Sequence, residues 1–286
     1  MSKRKTCVST IGYWSEVKLD ILQDYASAYS TILAAQQRPR LRHIFIDAFS
    51  GSGVHVAKGS GDLIWGSPMR ALMSDPPFSE YHFIDLDQGN VETLEIQVRA
   101  RTQGPYNPDS TYFYNADCNQ VLLTDVFPRA LFENYARALC LLDPYGLHLD
   151  WDVIRTAGQM RSVEIFLNFP IMDINRNVLR RDPSSASEDQ TERMTAFWGD
   201  ASWREAAYRT EPNLFGFEER KTTNDDLATA FRDRLKKIAG FTYVPEPMPM
   251  RNTTGAIVYY LYFAAQKPVG AKIVTEIFKK YRDRRG

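Results

Sequence analysis

The tetrapeptide Asp143-Pro144-Tyr145-Gly146 combines residue types that can bind and orient a substrate. It follows the apolar run 138–142, which predicts a buried strand that delivers the tetrapeptide to an edge of a sheet. Proline fixes the backbone after Asp143 and lacks an N–H, which leaves nearby carbonyl oxygens free to accept hydrogen bonds from a substrate amine. Tyr145 offers a flat face for stacking. A turn with no further role has the same composition, so this segment alone leaves both interpretations open.

A second segment that could bind a ligand comprises residues 42–53. It is an apolar strand followed by an acidic residue and a glycine-rich turn. The glycines let the backbone turn tightly and approach a ligand where a Cβ atom would clash. Such a loop after a first strand is typical of nucleotide-binding α/β domains. Its candidate cofactor-binding residues are Asp47, Phe49, Gly51, Ser52 and Gly53.

Three other loop types do not fit this segment. A dinucleotide fingerprint needs a third glycine where Val56 stands, and a phosphate loop needs Ser or Thr directly after its lysine, whereas Lys58 precedes Gly59. A nucleophile elbow needs a glycine at the position of Ala48. The remaining pattern, Asp-x-Phe-x-Gly-x-Gly, is similar to motif I of S-adenosylmethionine-dependent methyltransferases.

Acidic residues end the second and third predicted strands, with Asp85, Leu86 and Asp87 after the second and Asp117 and Cys118 after the third. A carboxylate at the end of the second strand can accept hydrogen bonds from both ribose hydroxyls of a nucleotide. Asp85 is the first candidate for this role and Asp87 is the second. Asp117 is expected to accept from an adenine amino group, with the Cys118 backbone beside it. Without the glycine loop, these acids would be interpreted as ordinary exposed strand ends.

Apolar runs that alternate with helical patterns predict an α/β fold with a mostly parallel sheet and helices on both faces. The predicted strands are residues 43–49, 81–87, 111–118, 137–146, 163–170 and 256–264. The predicted helices are residues 15–35, a helix capped by Ser67 with Pro68 at its first position, and residues 90–100, 151–157 and 270–281.

Two stretches depart from this alternation. Residues 54–66 are rich in glycine and predict an extended loop that forms a lid beside the site and carries Lys58 and Trp65. Residues 171–235 lack strand signals and predict a helical insertion over the active-site edge, so that residues 1–170 and 236–286 form the core.

The composition is that of an ordinary globular protein, with 44% hydrophobic and 24% charged residues in a chain of 286. The 35 basic and 35 acidic residues balance, so any binding of nucleic acid must use a local patch. The cysteines Cys7, Cys118 and Cys140 are widely spaced and indicate neither a disulfide framework nor a metal site. No signal peptide or membrane span is recognisable, which predicts a cytoplasmic protein.

The acids and the tetrapeptide occur in the order and spacing of the class I methyltransferase motifs. Over most of its length the chain also resembles the three-Cys-motif partner family of bacterial and phage-associated proteins. The segments that carry this resemblance are Trp14 with Lys18-Leu19, residues 49–53, 66–68, 142–146, 168–170, 175–177 and 262–264, and Lys267-Pro268. The resemblance implies a Rossmann-like class I methyltransferase fold and a separate protein partner that carries the cysteine motif, but it supplies no substrate.

The resemblance to methyltransferases implies S-adenosyl-L-methionine as the cofactor, bound across the glycine loop with its methyl group toward Asp143. The segment 143–145 looks like a shortened Asn/Asp-Pro-Pro-Tyr motif of amino methyltransferases, with one proline missing and Gly146 after the aromatic ring. The leading hypothesis is N-methylation of a DNA or RNA base or another planar amine, with Arg176, Arg180 and Arg181 as candidate phosphate contacts. The alternatives are methylation of a small molecule or protein, and a non-catalytic binding module that works through its partner.

Overall fold

The computed structural model describes residues 9–101, 104–180, 186–213 and 216–282. Outside this part of the chain lie Cys7, Arg181, Arg284 and Arg285. The strands are β1 Ser9–Ile11, β2 Arg42–Asp47, β3 Val54–Ala57, β4 Leu63–Trp65, β5 Glu80–Asp85, β6 Thr111–Asn115, β7 Ala136–Leu142, β8 Val163–Phe169, β9 Tyr208–Asn213, β10 Gly216–Lys221, β11 Met248–Arg251 and β12 Ile257–Ala264.

Helices connect most of these strands. They are α1 Tyr13–Ala34, α2 Ser67–Ala71, α3 Gln88–Ala100, α4 Cys118–Val121, α5 Trp151–Met160, α6 Ile171–Asn177, α7 Glu188–Trp198, α8 Trp203–Ala207, α9 Asn224–Lys237 and α10 Pro268–Arg282. A π-helical turn, Leu122–Val126, and short 3₁₀ turns lie between α4 and β7. None of the helices in the described part of the chain is long and apolar enough to cross a lipid bilayer.

A seven-stranded sheet in the order β11-β12-β8-β7-β2-β5-β6 forms the centre of the fold. The five strands from β8 to β6 pair in parallel. Strand β12 pairs antiparallel with β8, and β11 pairs antiparallel with β12. The predicted fold class, a mostly parallel sheet of the methyltransferase-like α/β type, is therefore confirmed.

The strand order reverses between β2 and β7. From β2 the chain moves outward to β5 and β6, and it then returns to the other side of β2 to form β7. In open α/β sheets a ligand crevice forms at such a reversal, outside the carboxyl ends of the strands. Asp47 is the last residue of β2 and Asp143 directly follows β7. The topology therefore places both predicted acids at this crevice.

Two hydrophobic cores cover the faces of the sheet, because alternate residues of each strand point to opposite faces. Ile44 and Ile46 of β2 belong to the core beneath α5, α7 and α9, whereas Phe45 belongs to the core beneath α1, α3 and α10. Helices therefore cover both faces, as predicted.

All six predicted strands of the main sheet form, with ends that differ by a few residues. The prediction for residues 54–66 was wrong in part, because they form the hairpin β3–β4, to which β1 adds in parallel. Gly66, not Ser67, occupies the N-cap position of α2. Residues 171–235 hold α6 to α9, as expected for a helical insertion, and also the antiparallel pair β9–β10. Phe197 and Phe231 of this stretch pack in the same core as Phe169 of the sheet.

Candidate functional site

Asp47 lies at the centre of the candidate site and is completely buried. Its Oδ1 accepts a hydrogen bond from the backbone N–H of Phe49 at 3.2 Å, while its Oδ2 has no hydrogen-bond partner among the described residues. Burial raises the pKa of this carboxyl to about 7. The Ser67 hydroxyl and the Phe49 amide oppose this rise, although the hydroxyl is near the carboxyl without forming a hydrogen bond of acceptable geometry to Oδ2. A buried acceptor without a partner is costly, so this oxygen is available to a ligand.

Lys18 of α1 reaches the same place and forms an ion pair with Oδ2 of Asp143. Only 10% of the Lys18 side chain and 27% of the Asp143 side chain are exposed, so water screens the pair only partly. Burial opposes the charge on Lys18, but the carboxylate of Asp143 outweighs it and raises the pKa of Lys18 above its usual value. The lysine is therefore charged at neutral pH, and it leaves the other oxygen of Asp143 without a described partner.

Tyr259 and His55 complete the surroundings of Lys18. The ammonium group lies 5.3 Å from the ring centroid of Tyr259 on β12, a cation–π distance. His55 of β3 lies close enough for burial and then the charge of Lys18 to lower its pKa, which leaves the imidazole neutral at pH 7. The imidazole also lies 2.7 Å from the Ser9 hydroxyl. The hairpin β3–β4 is therefore near the candidate site, and its role as a lid stays a prediction.

Asp85 connects β5 to the glycine loop. Its Oδ2 accepts from the backbone N–H of Gly51 at 2.8 Å, and its Oδ1 accepts from the N–H of Asp87 at 2.8 Å and from the side chain of Asn90 at 3.2 Å. A carboxylate has about four acceptor positions, so about one stays free. Asp85 can therefore accept one ribose hydroxyl without losing an existing bond, rather than the two that we expected from the sequence.

The two glycines of the loop have different surroundings. Gly51 has φ +60°, and a Cβ atom built there would meet nothing within 4 Å. Gly53 has φ +79°, and its Cβ atom would lie 2.6 Å from Leu94 Cδ1 of α3. Gly51 therefore borders open space in which a ligand can lie, while Gly53 allows α3 to pack closely on the loop.

The other predicted cofactor residues line the same edge. Asp87 and Asp117 are exposed, and each uses Oδ1 to cap a helix, through the N–H of Asn90 and of Asn119 respectively. The other oxygen of each acid is free of described partners. Cys118 is buried, and burial raises the pKa of its thiol to about 12, so it packs as an apolar side chain. Leu86 is 75% exposed, and Ser52 is buried with its carbonyl oxygen bound to Gln97.

The tetrapeptide after β7 presents its side chains in different directions. Pro144 is buried, whereas Tyr145 is 90% exposed and its ring is free to stack on a planar group. Gly146 has φ +64°, and its Cβ position lies 3.3 Å from Oδ2 of Asp173 on α6. The sharp turn at Gly146 therefore brings the start of α6 against the tetrapeptide.

Arg176 lies three residues after Asp173 on α6, and both Arg176 and Arg180 are exposed. Neither forms an ion pair with any described residue, so their guanidinium groups are free to bind an anion near the site. His148 is also exposed, and its Nε2 lies 3.2 Å from a guanidinium nitrogen of Arg193 on α7, which agrees with a surface role.

The sequence did not place Lys18, it predicted Ser67 only as a helix cap, and it did not indicate that His55 or Tyr259 would lie near the site. The available signal for Lys18 was its position in α1, where Val17, Leu19 and Ile21 form an apolar stretch around it. A lysine flanked in this way has to be buried with a partner, but only the tertiary structure identifies that partner as Asp143, 125 positions later.

No protein-family model matches this sequence, and no curated protein sequence matches it. Among solved structures, the chain is similar to protein LPL1258 from Legionella pneumophila, with TM-score 0.44 and 11% identity over 93% of this chain and 92% of that chain. It is similar to the bifunctional kinase-methyltransferase WbdD, with TM-score 0.42 and 11% identity over 87% of this chain but only 39% of WbdD.

A third similar structure is the N-terminal domain of EvdMO1 with SAH bound, with TM-score 0.41 and 10% identity over 86% of this chain and 81% of that chain. These neighbours thus include a methyltransferase and a protein that binds SAH. Such distant similarities concern the overall fold, and the chemistry of the site has to be argued from its own residues.

Proposed function

We propose that this protein is an S-adenosylmethionine-dependent methyltransferase that transfers the methyl group to the nitrogen of a planar amine. The observation that carries the proposal is the buried group at the strand reversal, in which Lys18 pairs with Asp143 beside the unpartnered Oδ2 of Asp47. The glycine loop and the acids at the ends of β5 and β6 lie along the same edge.

The residues at this edge fit the groups of S-adenosylmethionine. Asp47 Oδ2 suits its ammonium group, because a buried carboxylate without a partner favours a cation. Asp85 has one free acceptor position for a ribose hydroxyl, and Asp117 has a free oxygen for the adenine amino group. The open space beside Gly51 leaves room for the ligand to pass over the loop.

The bound cofactor would supply an electrophilic methyl group, and the protein would mainly have to hold the acceptor nitrogen in line with it. Lys18 pairs with one of the two oxygens of Asp143 and so fixes the position of the carboxylate. The other oxygen, together with a backbone carbonyl at Pro144, would accept the N–H groups of the amine. Tyr145 would stack on its planar face. None of these roles requires a strong base.

A base exposed in DNA or RNA is the substrate class that we favour within this proposal. The exposed ring of Tyr145 can stack on a base. The guanidinium groups of Arg176 and Arg180, which form no ion pair with a described residue, can bind the adjoining phosphates. Leu63 and Trp65 of β4 and Leu86 after β5 are exposed apolar side chains. Trp65 pairs with Val54, directly after the glycine loop, and Leu86 follows Asp85, which binds Gly51 of that loop. They favour the further proposal that a protein partner covers this edge.

Isothermal titration with S-adenosylmethionine tests cofactor binding. We expect the wild type to bind and Asp85→Asn, which loses the negative charge but retains an acceptor for Gly51, to bind at least about fivefold more weakly. Asp233→Asn, on the exposed surface of α9, is the matched control and should bind like the wild type. Absence of binding to the wild type would refute the enzyme hypothesis and leave the non-catalytic binding module.

Transfer of a radiolabelled methyl group to DNA, RNA, protein and small-molecule fractions then tests the substrate. We expect Tyr145→Ala to lose turnover on nucleic acid while it retains cofactor affinity, because the side chain is exposed and contributes little to stability. Tyr145→Phe keeps the stacking face and should retain turnover. Label in protein or small molecules alone would contradict the nucleic-acid substrate without affecting the methyltransferase proposal.

A further inference from the structure

A second pocket lies at the opposite edge of the sheet, where β7 and β8 begin. Its cavity volume is about 100 Å³. It lies between α1 and α10, and Tyr25, Tyr29, Ser162, Glu164 and Gly270 are among the residues that line it. Glu164 is five residues before the end of β8, which corresponds to about 17 Å along the strand. The pocket is therefore separate from the candidate methyltransferase site.

Strand register explains why polar groups meet there. Ala138 pairs with Val163, and both side chains belong to the core under α5. The neighbouring residues Arg137, Ser162 and Glu164 therefore point to the other face, toward α1 and α10. Helix α10 can approach them closely because residue 270 is glycine, whose Cβ position would lie 2.6 Å from the Tyr25 hydroxyl.

Two of the polar groups that line the pocket lack partners. The hydroxyls of Tyr29 and Ser162 are buried and form no hydrogen bond with a described residue. Tyr29 is 7% exposed and Ser162 is 2% exposed. Among other buried hydroxyls, Ser30 is bonded to His43 at 2.9 Å and Tyr262 to the carbonyl of Ala228 at 2.7 Å. The hydroxyls of Ser50 and Ser74, which do not line this pocket, also lack a described partner, but only Tyr29 and Ser162 meet at one cavity. The unpartnered pair thus indicates groups that a bound molecule would satisfy.

The charge of the pocket is mainly positive. Arg137, Arg161 and Lys267 line it, and none of them forms an ion pair with a described residue. Arg137 uses one terminal nitrogen, Nη1, for the carbonyls of Phe132 and Ala136, which leaves its other donors free. Glu164 is the one acid among the lining residues, and its Oε2 already accepts from the Tyr25 hydroxyl at 2.5 Å. This arrangement favours an anion over a cation.

The remaining wall is apolar, and its side chains are those of Ile32 and Leu33 on α1 and of Val269 and Ile273 on α10. A ligand that satisfies the whole pocket therefore needs one small anionic group and a compact hydrocarbon body. We infer that this pocket binds a small apolar carboxylate, with its carboxylate held by Arg137 and by the hydroxyls of Ser162 and Tyr29. Such a molecule can come from two sources, the free branched-chain or aromatic carboxylic acids and the corresponding amino acids.

Titration of the full chain with 4-methylpentanoate, its uncharged amide and L-leucine tests this inference. We expect millimolar or tighter binding of a carboxylate probe, and binding of the amide at least about tenfold weaker, equivalent to about 1.4 kcal/mol. A preference for L-leucine would identify amino acids, with Glu164 as the acceptor of the ammonium group. A preference for 4-methylpentanoate would identify plain acids, and either preference supports the inference.

Ser162→Ala should weaken binding of the preferred carboxylate at least about tenfold without harm to the fold, because the hydroxyl that it removes bonds nothing. Ser74→Ala removes another buried, unpartnered hydroxyl that does not line the pocket, and should leave binding unchanged. The inference is overturned if no probe binds the wild type, which would mean that water fills the pocket. Equal affinity for acid and amide, or equal binding by both serine variants, would also overturn it.

Discussion

Asp47 and Glu164 are acids at opposite edges of one sheet, and burial raises the pKa of each to about 7. Their partners differ. Glu164 accepts a hydrogen bond from the Tyr25 hydroxyl, and this bond partly opposes the rise in the pKa of Glu164. Asp47 has an oxygen without a partner and a neighbouring ion pair between Lys18 and Asp143.

Because both acids have a raised pKa, a perturbed pKa does not by itself distinguish the candidate active site from the opposite edge of the sheet. At the edge where β2 and β7 end, Asp47 lies with the charged Lys18, with Gly51, which borders open space, and with the exposed ring of Tyr145. At the edge where β7 and β8 begin, the acid is combined with hydroxyl groups and apolar walls. The first set suits a large cationic cofactor and a reaction, and the second set suits the binding of a small molecule.

The largest expected effect is on the rate of methyl transfer, which should depend on Asp143 at one edge of the sheet and not on Glu164 at the other. Asp143→Asn should lower methyl transfer by about 10²–10³-fold, because the neutral amide oxygen is a weaker acceptor than a carboxylate and no longer pairs with the charge of Lys18. Glu164→Gln, at the other edge, should leave the rate unchanged. Steady-state kinetics with radiolabelled cofactor measures both. Loss of transfer in Glu164→Gln with a normal rate in Asp143→Asn would reverse the assignment of the two edges.

The ion pair between Lys18 and Asp143 should also contribute to the free energy of unfolding. Lys18→Met or Asp143→Asn alone should cost about 2–3 kcal/mol of the free energy of unfolding, because each leaves a partly buried charge unpaired. The double variant Lys18→Met/Asp143→Asn should recover most of that loss. Urea denaturation of the four proteins measures the coupling. Additive losses in the double variant would show that the pair does not act as a unit.

Much of the fold could be predicted because its signals are local. Each parallel strand of the main sheet is a short apolar run, and α1 carries its apolar residues at helical spacing. Strand β11 was not predicted because Pro247 and Pro249 weaken its pattern, although it pairs with β12 alone and so forms an edge. The hairpin β3–β4 was not predicted because Gly59 and Gly61 in its turn suggested an irregular loop.

The candidate site could be predicted only in part, for a related reason. Acids that follow strands can be located from the sequence, because parallel strands end at a common edge. The unpartnered oxygen of Asp47 and the pairing of Lys18 with Asp143 depend on how α1 packs across the sheet, and no local pattern contains that information. The same holds for Ser162 and Tyr29, which line one pocket only because α1 packs over the start of β8.

A smaller effect should distinguish the two glycines of the reactive edge. Gly53→Ala should destabilise the protein by about 2 kcal/mol or more, because its methyl group would overlap Leu94 in a strained backbone region. Gly51→Ala should cost only about 1 kcal/mol of backbone strain, since the space around it is open. Thermal unfolding and cofactor titration measure both. We expect Gly51→Ala to lose more cofactor affinity than stability, and the opposite ranking would place the ligand elsewhere.

The smallest effects are those of pH, and they compare the two acids directly. The native state binds more protons than the unfolded state between the ordinary carboxyl pKa near 4 and the raised value of about 7. Each acid should therefore lower the free energy of unfolding as the pH rises through this window, by at most about 1.4 kcal/mol per pH unit. Asp47→Asn should remove the contribution of Asp47 to this slope, and Glu164→Gln should remove that of Glu164. Denaturation at pH 5 to 8 measures these slopes.

Cofactor affinity should respond to Asp47 alone, because only the ionised form of this acid can hold an ammonium group. In the wild type, the affinity for S-adenosylmethionine should fall as the pH drops below about 7, by at most about tenfold per pH unit. Asp47→Asn should bind weakly at every pH with no such slope, whereas Glu164→Gln should keep the wild-type profile. If Glu164→Gln abolished the slope and Asp47→Asn preserved it, the contrast between the two edges would have to be rejected.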